Sequence, residues 1–241
     1  MNAKIKAYLN NLYRSAEDLN TANIIESLKK TGPHKRLLDV GCWDGEASQN
    51  WINASGASEV YGIEPVKNES IFKLATDRGI KVSNIYADKD PWPFEANFFD
   101  CVVSNQVVEH LSDLDFFFNQ AQRVLKPNGF LVTSTNNLSS LHNIGSLVFG
   151  FTPFDLTNCS SKELGIGNPF ALHKNESDPR GNSWTHKTIY TTKWLKDWQS
   201  VYGLSYEFDC GAGLYPFPSS FGKHLKLYSA FITIVCKKNE T

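Results

Sequence analysis

No run of apolar residues in this 241-residue chain approaches the ~20 needed to cross a bilayer, which excludes a helical membrane span. Met1 to Leu19 mixes lysines, asparagines and acids with few apolar positions and does not read as a signal peptide. Charge of neither sign is in excess: 24 Lys and Arg face 25 Asp and Glu, for a formal net charge of -1. That balance leaves no electrostatic footprint for DNA or RNA. The five cysteines (Cys42, Cys101, Cys159, Cys210 and Cys236) contain no CxxC pair. An odd, scattered set argues against a disulfide framework and against structural zinc, and fits a reduced cytoplasmic setting. Internal repeats are lacking too. What is present is an ordinary globular composition, 41% hydrophobic and 20% charged, in a chain long enough for one α/β domain with an elaboration.

Apolar positions at helical spacing (Ile5, Tyr8, Leu9, Leu12, then Ile24, Ile25, Leu28) predict one or two leading helices, stopped by Thr31-Gly32-Pro33. An alternation follows. Strand 36–40 precedes helix 45–54, strand 59–63 precedes helix 67–77, and a short strand is expected near 81–85. Phe99 to Ser104 is an apolar strand, 112–125 a helix, Lys126-Pro127-Asn128-Gly129 a turn, and Phe130 to Thr135 the next strand. This rhythm predicts an α/β doubly wound parallel sheet with helices on both faces. From Asn136 to Tyr190 the rhythm fails in a Gly-, Pro-, Asn- and Ser-rich stretch carrying Phe149, Phe151, Phe154 and Phe170. Such a segment is usually functional or disordered, and its aromatics favour a folded lid with a short helix near Leu141 to Phe149. Helix 191–201 and strands near 204–209 and 227–235 complete the chain.

The most informative stretch is Arg36-Leu37-Leu38-Asp39-Val40-Gly41-Cys42-Trp43-Asp44-Gly45-Glu46. It reads as a buried strand that ends in a glycine turn and passes into a helix, at the carboxyl end of a strand of an open α/β sheet, where ligands bind. A dinucleotide turn wants Gly-x-Gly-x-x-Gly, so that bare backbone can approach a pyrophosphate. Here Trp43 holds the second glycine's place and Glu46 the third. An indole and an added negative charge oppose a pyrophosphate. An acidic turn with Asp39, Asp44 and Glu46 suits S-adenosylmethionine (SAM), which has a cationic end and no phosphate. The other reading is an ordinary strand-to-helix turn with structural glycines.

Further residues fall where an adenosyl ligand needs contacts. Glu64, followed by Pro65, ends the second strand and can accept hydrogen bonds from both ribose hydroxyls. Ala87-Asp88 follows the third strand, where a carboxylate can accept from the adenine amino group. Ile85, Trp92 or Phe94 could form the apolar wall. Asn105 and Gln106 stand at the break after the fourth strand, where backbone carbonyls could take the ammonium of the methionine part. The candidate cofactor residues are therefore Asp39, Gly41, Trp43, Gly45, Glu64, Pro65, Ala87, Asp88, Asn105 and Gln106.

Taken in order, these pieces resemble a class I, Rossmann-like SAM-dependent methyltransferase. The matching runs are Leu37 to Gly45, the acid at Glu64, Ala87-Asp88, Phe98 to Ser104, Val108-Glu109-His110-Leu111, and Val124 to Leu131. Trp43 departs from the resemblance, since the family usually has glycine there. The resemblance implies a seven-stranded, mostly parallel sheet in the order 3-2-1-4-5-7-6 with the last strand antiparallel. It implies a single domain over 1–241: leading helices to 32, a SAM-binding core over 33–135, a lid-like insertion over 136–190 for the acceptor, and a final helix and hairpin over 191–241. The insertion would lie over the carboxyl ends of the strands and enclose a small acceptor.

Methyl transfer is in-line displacement at a carbon activated by the sulfonium, so the protein mainly aligns and desolvates. A hydroxyl acceptor also needs a base. The candidates are His110, His142 and His186, with His110 and His186 taken as the catalytic pair. Gln106-Val107-Val108-Glu109-His110 resembles the metal-binding stretch of some quinone-pathway O-methyltransferases, but neutral Gln106 stands where an acid would be, so no metal is expected. The Asn-or-Asp-Pro-Pro-aromatic motif of base-amino methyltransferases is missing, which argues against a nucleic-acid acceptor. The first choice is O-methylation of a small molecule, a sugar, glycan precursor or related metabolite. The competing readings are a non-catalytic SAM-binding regulatory protein and an NAD-linked oxidoreductase.

Overall fold

The computed structural model describes residues 3–177 and 184–240, so residues 178–183 of the expected insertion lie outside the described residues. A seven-stranded sheet runs in the order β3-β2-β1-β4-β5-β7-β6. Its strands are β1 Arg36–Val40, β2 Glu59–Ile63, β3 Ile80–Ser83, β4 Phe99–Asn105, β5 Leu125–Asn136, β6 Leu204–Ala212 and β7 Phe231–Lys238. The β1–β2, β1–β4, β2–β3 and β4–β5 ladders are parallel, and the last strand is antiparallel. The fold class and strand order expected from the sequence are those found. The helices are α1 Ala3–Thr31, α2 Glu46–Ser55, α3 Glu69–Asp77, α4 Leu114–Val124, α5 Leu141–Val148 and α6 Thr192–Val201. No helix among the described residues is long and apolar enough to cross a membrane.

The leading segment is one helix. The final strand starts at Phe231, because Lys226–Tyr228 forms a 3-10 turn rather than extended chain. Lys126 to Gly129 lies inside β5 as a bulge: Phe99 pairs with Leu125, yet Cys101 already pairs with Phe130. Asn128 absorbs that excess at φ +65°, and a Cβ on Gly129 would sit 2.9 Å from the Lys126 carbonyl. Caps set other boundaries. The Asn68 side chain accepts from the amides of Ser70 and Ile71 at the start of α3, and Asp113 accepts from Phe116 at the start of α4.

The chain forms two compact units. The sheet unit comprises Ile24–Ser134, Lys196–Phe208 and the segment from Ile234 onward. Its core buries Leu28, Leu37, Trp51, Val60, Ile80, Val103 and Val132, each side chain contributing about 1.5–3 kcal/mol. The Asp100 carboxylate clamps the unit's lower edge. It accepts from the amides of Lys35 and Arg36 at 3.0 and 2.7 Å and meets Lys126 Nζ at 2.5 Å.

The insertion unit comprises α1 up to Asn23, Thr135–Leu195 and Asp209–Thr233. Its apolar cluster is small, built on Ala16, Ala212, Ala230 and Phe231. Side-chain to backbone bonds supply much of its cohesion: Ser219 donates to the Leu12 carbonyl at 2.9 Å, Asn137 to those of Leu227 and Ser229, and Asn168 to that of Thr152. The aromatics divide: Phe151 packs edge-on against Phe170 at 5.9 Å, while Phe149 is 76% exposed.

Candidate functional site

In the sheet unit, the turn after β1 is built by two backbone reversals and one carboxylate. Gly41 and Gly45 lie at φ +79° and +81°, a conformation other L-residues rarely adopt. A Cβ on Gly41 would also come within 2.5 Å of Val107 Cγ2. Between the glycines, Trp43 sits at φ +47°. A bulky residue there is strained and persists only when its surroundings over-determine it. The determinant is Glu64: the Trp43 amide donates to Glu64 Oε2 at 3.0 Å, and the Val66 amide donates to Oε1 at 2.9 Å. The Gly41 amide donates to the Ile63 carbonyl at 2.8 Å, which ties the turn to the end of β2. Arg78 holds the far side through the Asp44 carbonyl at 2.6 Å and its carboxylate at 3.1 Å.

Two acids here are buried. Burial raises Asp39 to about 7; the hydrogen bond from Ser48 (2.5 Å) pulls it partly back, and the charge of Glu64 adds to the rise. Burial likewise raises Glu64 above its ordinary value, outweighing the Val66 and Trp43 amides. Asp88 is 6% exposed, and its Oδ2 accepts from the Ser112 amide at 2.7 Å. Ala87 is buried, and its carbonyl takes the Trp92 indole at 3.1 Å. Trp92 is buried and packs edge-on against Phe117, while half-buried Phe94 packs edge-on against Phe99. Ile85 and Phe94, both half-buried, remain candidates for the adenine wall. At the break after β4, Gln106 adopts φ +55°, donates its amide to Ser134 at 2.8 Å, and buries Nε2 with no hydrogen-bond partner. Asn105 and Pro65 are half-buried, as is His110, which ends a 3-10 turn behind fully buried Glu109.

In the insertion unit, His186 is half-buried, and its Nδ1 makes a short hydrogen bond to the Asp155 carbonyl, which makes Nδ1 the protonated nitrogen. Asp155 was missed in reading the sequence, and it organises the polar part of this unit. Its carboxylate accepts from Asn136 Nδ2 at 2.8 Å and Asn143 Nδ2 at 2.7 Å, and lies 3.3 Å from His142 Nε2. Burial pushes this carboxyl up, but the His142 charge and hydrogen bond and the two asparagine amides outweigh it, leaving it below its ordinary value. Buried Asn136 Oδ1, His142 Nδ1 and Tyr215 Oη have no hydrogen-bond partner. Leaving such atoms unsatisfied costs about 1–3 kcal/mol each. Only the histidine and the irregular composition hinted at this network in the sequence, since its members are scattered from 136 to 215.

Comparison with known proteins agrees with this geometry. Residues 38–133 match the family model of a methyltransferase domain. The mitochondrial ubiquinone biosynthesis O-methyltransferase of Rattus norvegicus is 32% identical over 151 residues, 56% of this chain and 43% of that protein. The Mus musculus counterpart is 34% identical over 153 residues, 56% of this chain and 40% of that protein. The matched stretch thus spans less than half the length of these relatives. Among solved structures, a SAM-dependent methyltransferase from Thermotoga maritima superposes with a TM-score of 0.57 at 17% identity, covering 97% of each chain, a likeness of fold. Residues 38–133 thus carry a methyltransferase domain, and the fold agrees with the resemblance to class I, Rossmann-like SAM-dependent methyltransferases.

Proposed function

We propose that this chain transfers a methyl group from SAM to a hydroxyl of a small-molecule acceptor, of the sugar, glycan-precursor or related-metabolite class. The observation that carries the cofactor half is Glu64. Each of its oxygens receives one backbone amide. A carboxylate oxygen offers two acceptor directions, so each keeps one for a ribose hydroxyl. The residues proposed to surround the adenosyl group are Gly41, Trp43, Gly45, Pro65, Ala87 and Asp88. Asp39 acts through Ser48 to hold the start of α2 against the turn. Asn105 and Gln106 face the methionine part, where the buried, unpartnered Gln106 Nε2 is a donor suited to a carboxylate.

When bound, SAM supplies a methyl carbon already activated by a sulfonium. The chain's own residues then have to hold the acceptor oxygen in line and receive its proton. His110 and His186 are proposed as the bases for that proton. The relatives, named as O-methyltransferases, support oxygen as the acceptor atom. The asparagine-rich insertion supports a hydroxylated acceptor over an apolar one. The scattered free cysteines support a reduced, cytoplasmic setting.

The test has two steps. S-adenosylhomocysteine should raise the melting temperature and NAD should not; no shift with S-adenosylhomocysteine would sink the proposal. Methyl-labelled SAM offered with methyl glycosides, catechol and primary amines should then label the hydroxylated acceptors.

A further inference from the structure

We propose that the insertion unit carries a docking face for a lipid bilayer with anionic headgroups, presented by the tip of α5 and by the loop between β6 and β7. The docking is independent of the methyl-transfer reading above.

α5 is turned inside out. Its buried positions are polar, Asn143 and Ser146, while Leu147, Val148 and the capping Phe149 are 54% to 76% exposed. The polar side is held by partners. Asn143 donates to the Asn137 carbonyl at 3.0 Å and to the Asp155 carboxylate at 2.7 Å, and Ser146 accepts from Asn168 at 3.1 Å. Rolling the helix to bury its apolar side would break these bonds. Exposed Ile166 and Phe170 belong to the same tip: Phe170 packs on Phe151, and the Thr152 amide donates to the carbonyl of Gly167, next to Ile166. No Asp, Glu, Lys or Arg occurs between Lys126 and Asp155. A helix facing water turns its apolar stripe to the core, so an apolar outer tip marks an interaction surface.

The loop supplies the charge. Phe217, Phe221, Leu225, Leu227 and Tyr228 are 41% to 53% exposed, yet the backbone beneath them is pinned. Ser219 donates to the Leu12 carbonyl, and a Cβ on Gly222 would sit 2.6 Å from the Gly213 carbonyl. Asn137 and Ser139, just ahead of α5, donate to the Leu227 carbonyl at 2.9 and 2.8 Å and so tie the two elements together. No Asp or Glu occurs between Asp209 and Glu240, whereas Lys223, His224 and Lys226 stand among the apolar side chains. Lys226 pairs with Asp209 at 3.3 Å, and Lys223 has no ion-pair partner among the described residues. Apolar side chains with lysines and no acids complement a layer that is anionic outside and hydrocarbon inside. A second copy of the chain fits less well, because a symmetric contact would set the lysines of one face against those of the other.

Sedimentation of the full chain with vesicles tests this. The chain should pellet with vesicles of mixed phosphatidylglycerol and phosphatidylcholine. Val148→Asp with Phe149→Asp, and separately Phe221→Asp with Leu225→Asp, should each weaken that binding at least about tenfold, with the melting temperature kept. Lys223→Ala should weaken it about fivefold and leave binding to pure phosphatidylcholine unchanged, which decides the matter should a double variant fail to fold. Wild type left in the supernatant, or variants that pellet as wild type does, would overturn the proposal. So would light scattering that finds a dimer dispersed by the same substitutions, with no vesicle binding. A chain that pellets as expected but gives no melting shift with S-adenosylhomocysteine would support the docking face and contradict only the cofactor reading.

Discussion

Two aspartates, one in each compact unit, behave in opposite ways. Asp39 in the sheet unit has one short hydrogen bond from Ser48 and the negative Glu64 nearby, so burial dominates and its carboxyl rises to about 7. Asp155 in the insertion unit is bonded by two asparagine amides and faces His142, so partners dominate and its carboxyl falls. The same residue type is a reluctant anion in one place and a stabilised anion in the other. Partners, more than depth, decide which. The contrast follows the partners: Asp39 braces a turn through Ser48, whereas Asp155 holds His142 and two asparagine side chains.

That comparison can be broken by pH. A raised carboxyl contributes stability that is fully present below its ordinary value of 3.8 and lost as pH rises through about 7. Chemical unfolding of wild type and Asp39→Asn should therefore diverge between those values. The wild type should lose up to about 4 kcal/mol relative to the variant as pH rises from 4 to 7. Asp155 has the opposite sign. Its contribution is present above the ordinary 3.8 and is lost as pH falls through its lowered value. Asp155→Asn should accordingly be destabilised at neutral pH and converge on wild type in acid. Parallel curves for both variants would erase the distinction.

A smaller effect separates backbone strain from contact. Gly41→Ala forces a Cβ into a left-handed turn and against Val107 Cγ2, and should cost about 2–3 kcal/mol in urea unfolding. Val107→Ala should recover only part of that loss in the double variant, because the space is restored and the φ of +79° is not. Smaller still, Asn68→Ala removes the cap of α3 and should cost about 1 kcal/mol, with no change in pH dependence.

The two units also differ in how far they could be read from sequence. The sheet unit was legible because its signals are contiguous. Leu37-Leu38-Asp39-Val40-Gly41 states a strand and its turn within five residues, and the alternation that follows gave α2, β2 and α3 to within a few positions. Errors there were local: the Lys126 to Gly129 turn is a bulge, since β5 resumes pairing with β4 on either side of it. The assignment of Trp92 to an adenine wall overlooked that the core claims its ring. In the insertion unit a short helix near Leu141 was legible, but the Asp155 network was not. Its members are polar residues at spacings no period describes, joined by tertiary hydrogen bonds. Hydrophobic periodicity reports burial of apolar faces, and this unit relies on side-chain amides instead.

The turn after β1 and the end of β2 are proposed to hold an adenosyl ligand together, through Glu64. Calorimetric titration of S-adenosylhomocysteine into wild type and Glu64→Ala tests it most directly. Each charge-assisted hydrogen bond to a ribose hydroxyl is worth about 1.5–3 kcal/mol. Wild type should bind, and Glu64→Ala should bind at least about tenfold more weakly or not at all, with the Trp43 and Val66 amides left unpaired and the melting temperature lowered. Equal affinity in the two proteins, or no binding by wild type, would rule out that role for Glu64.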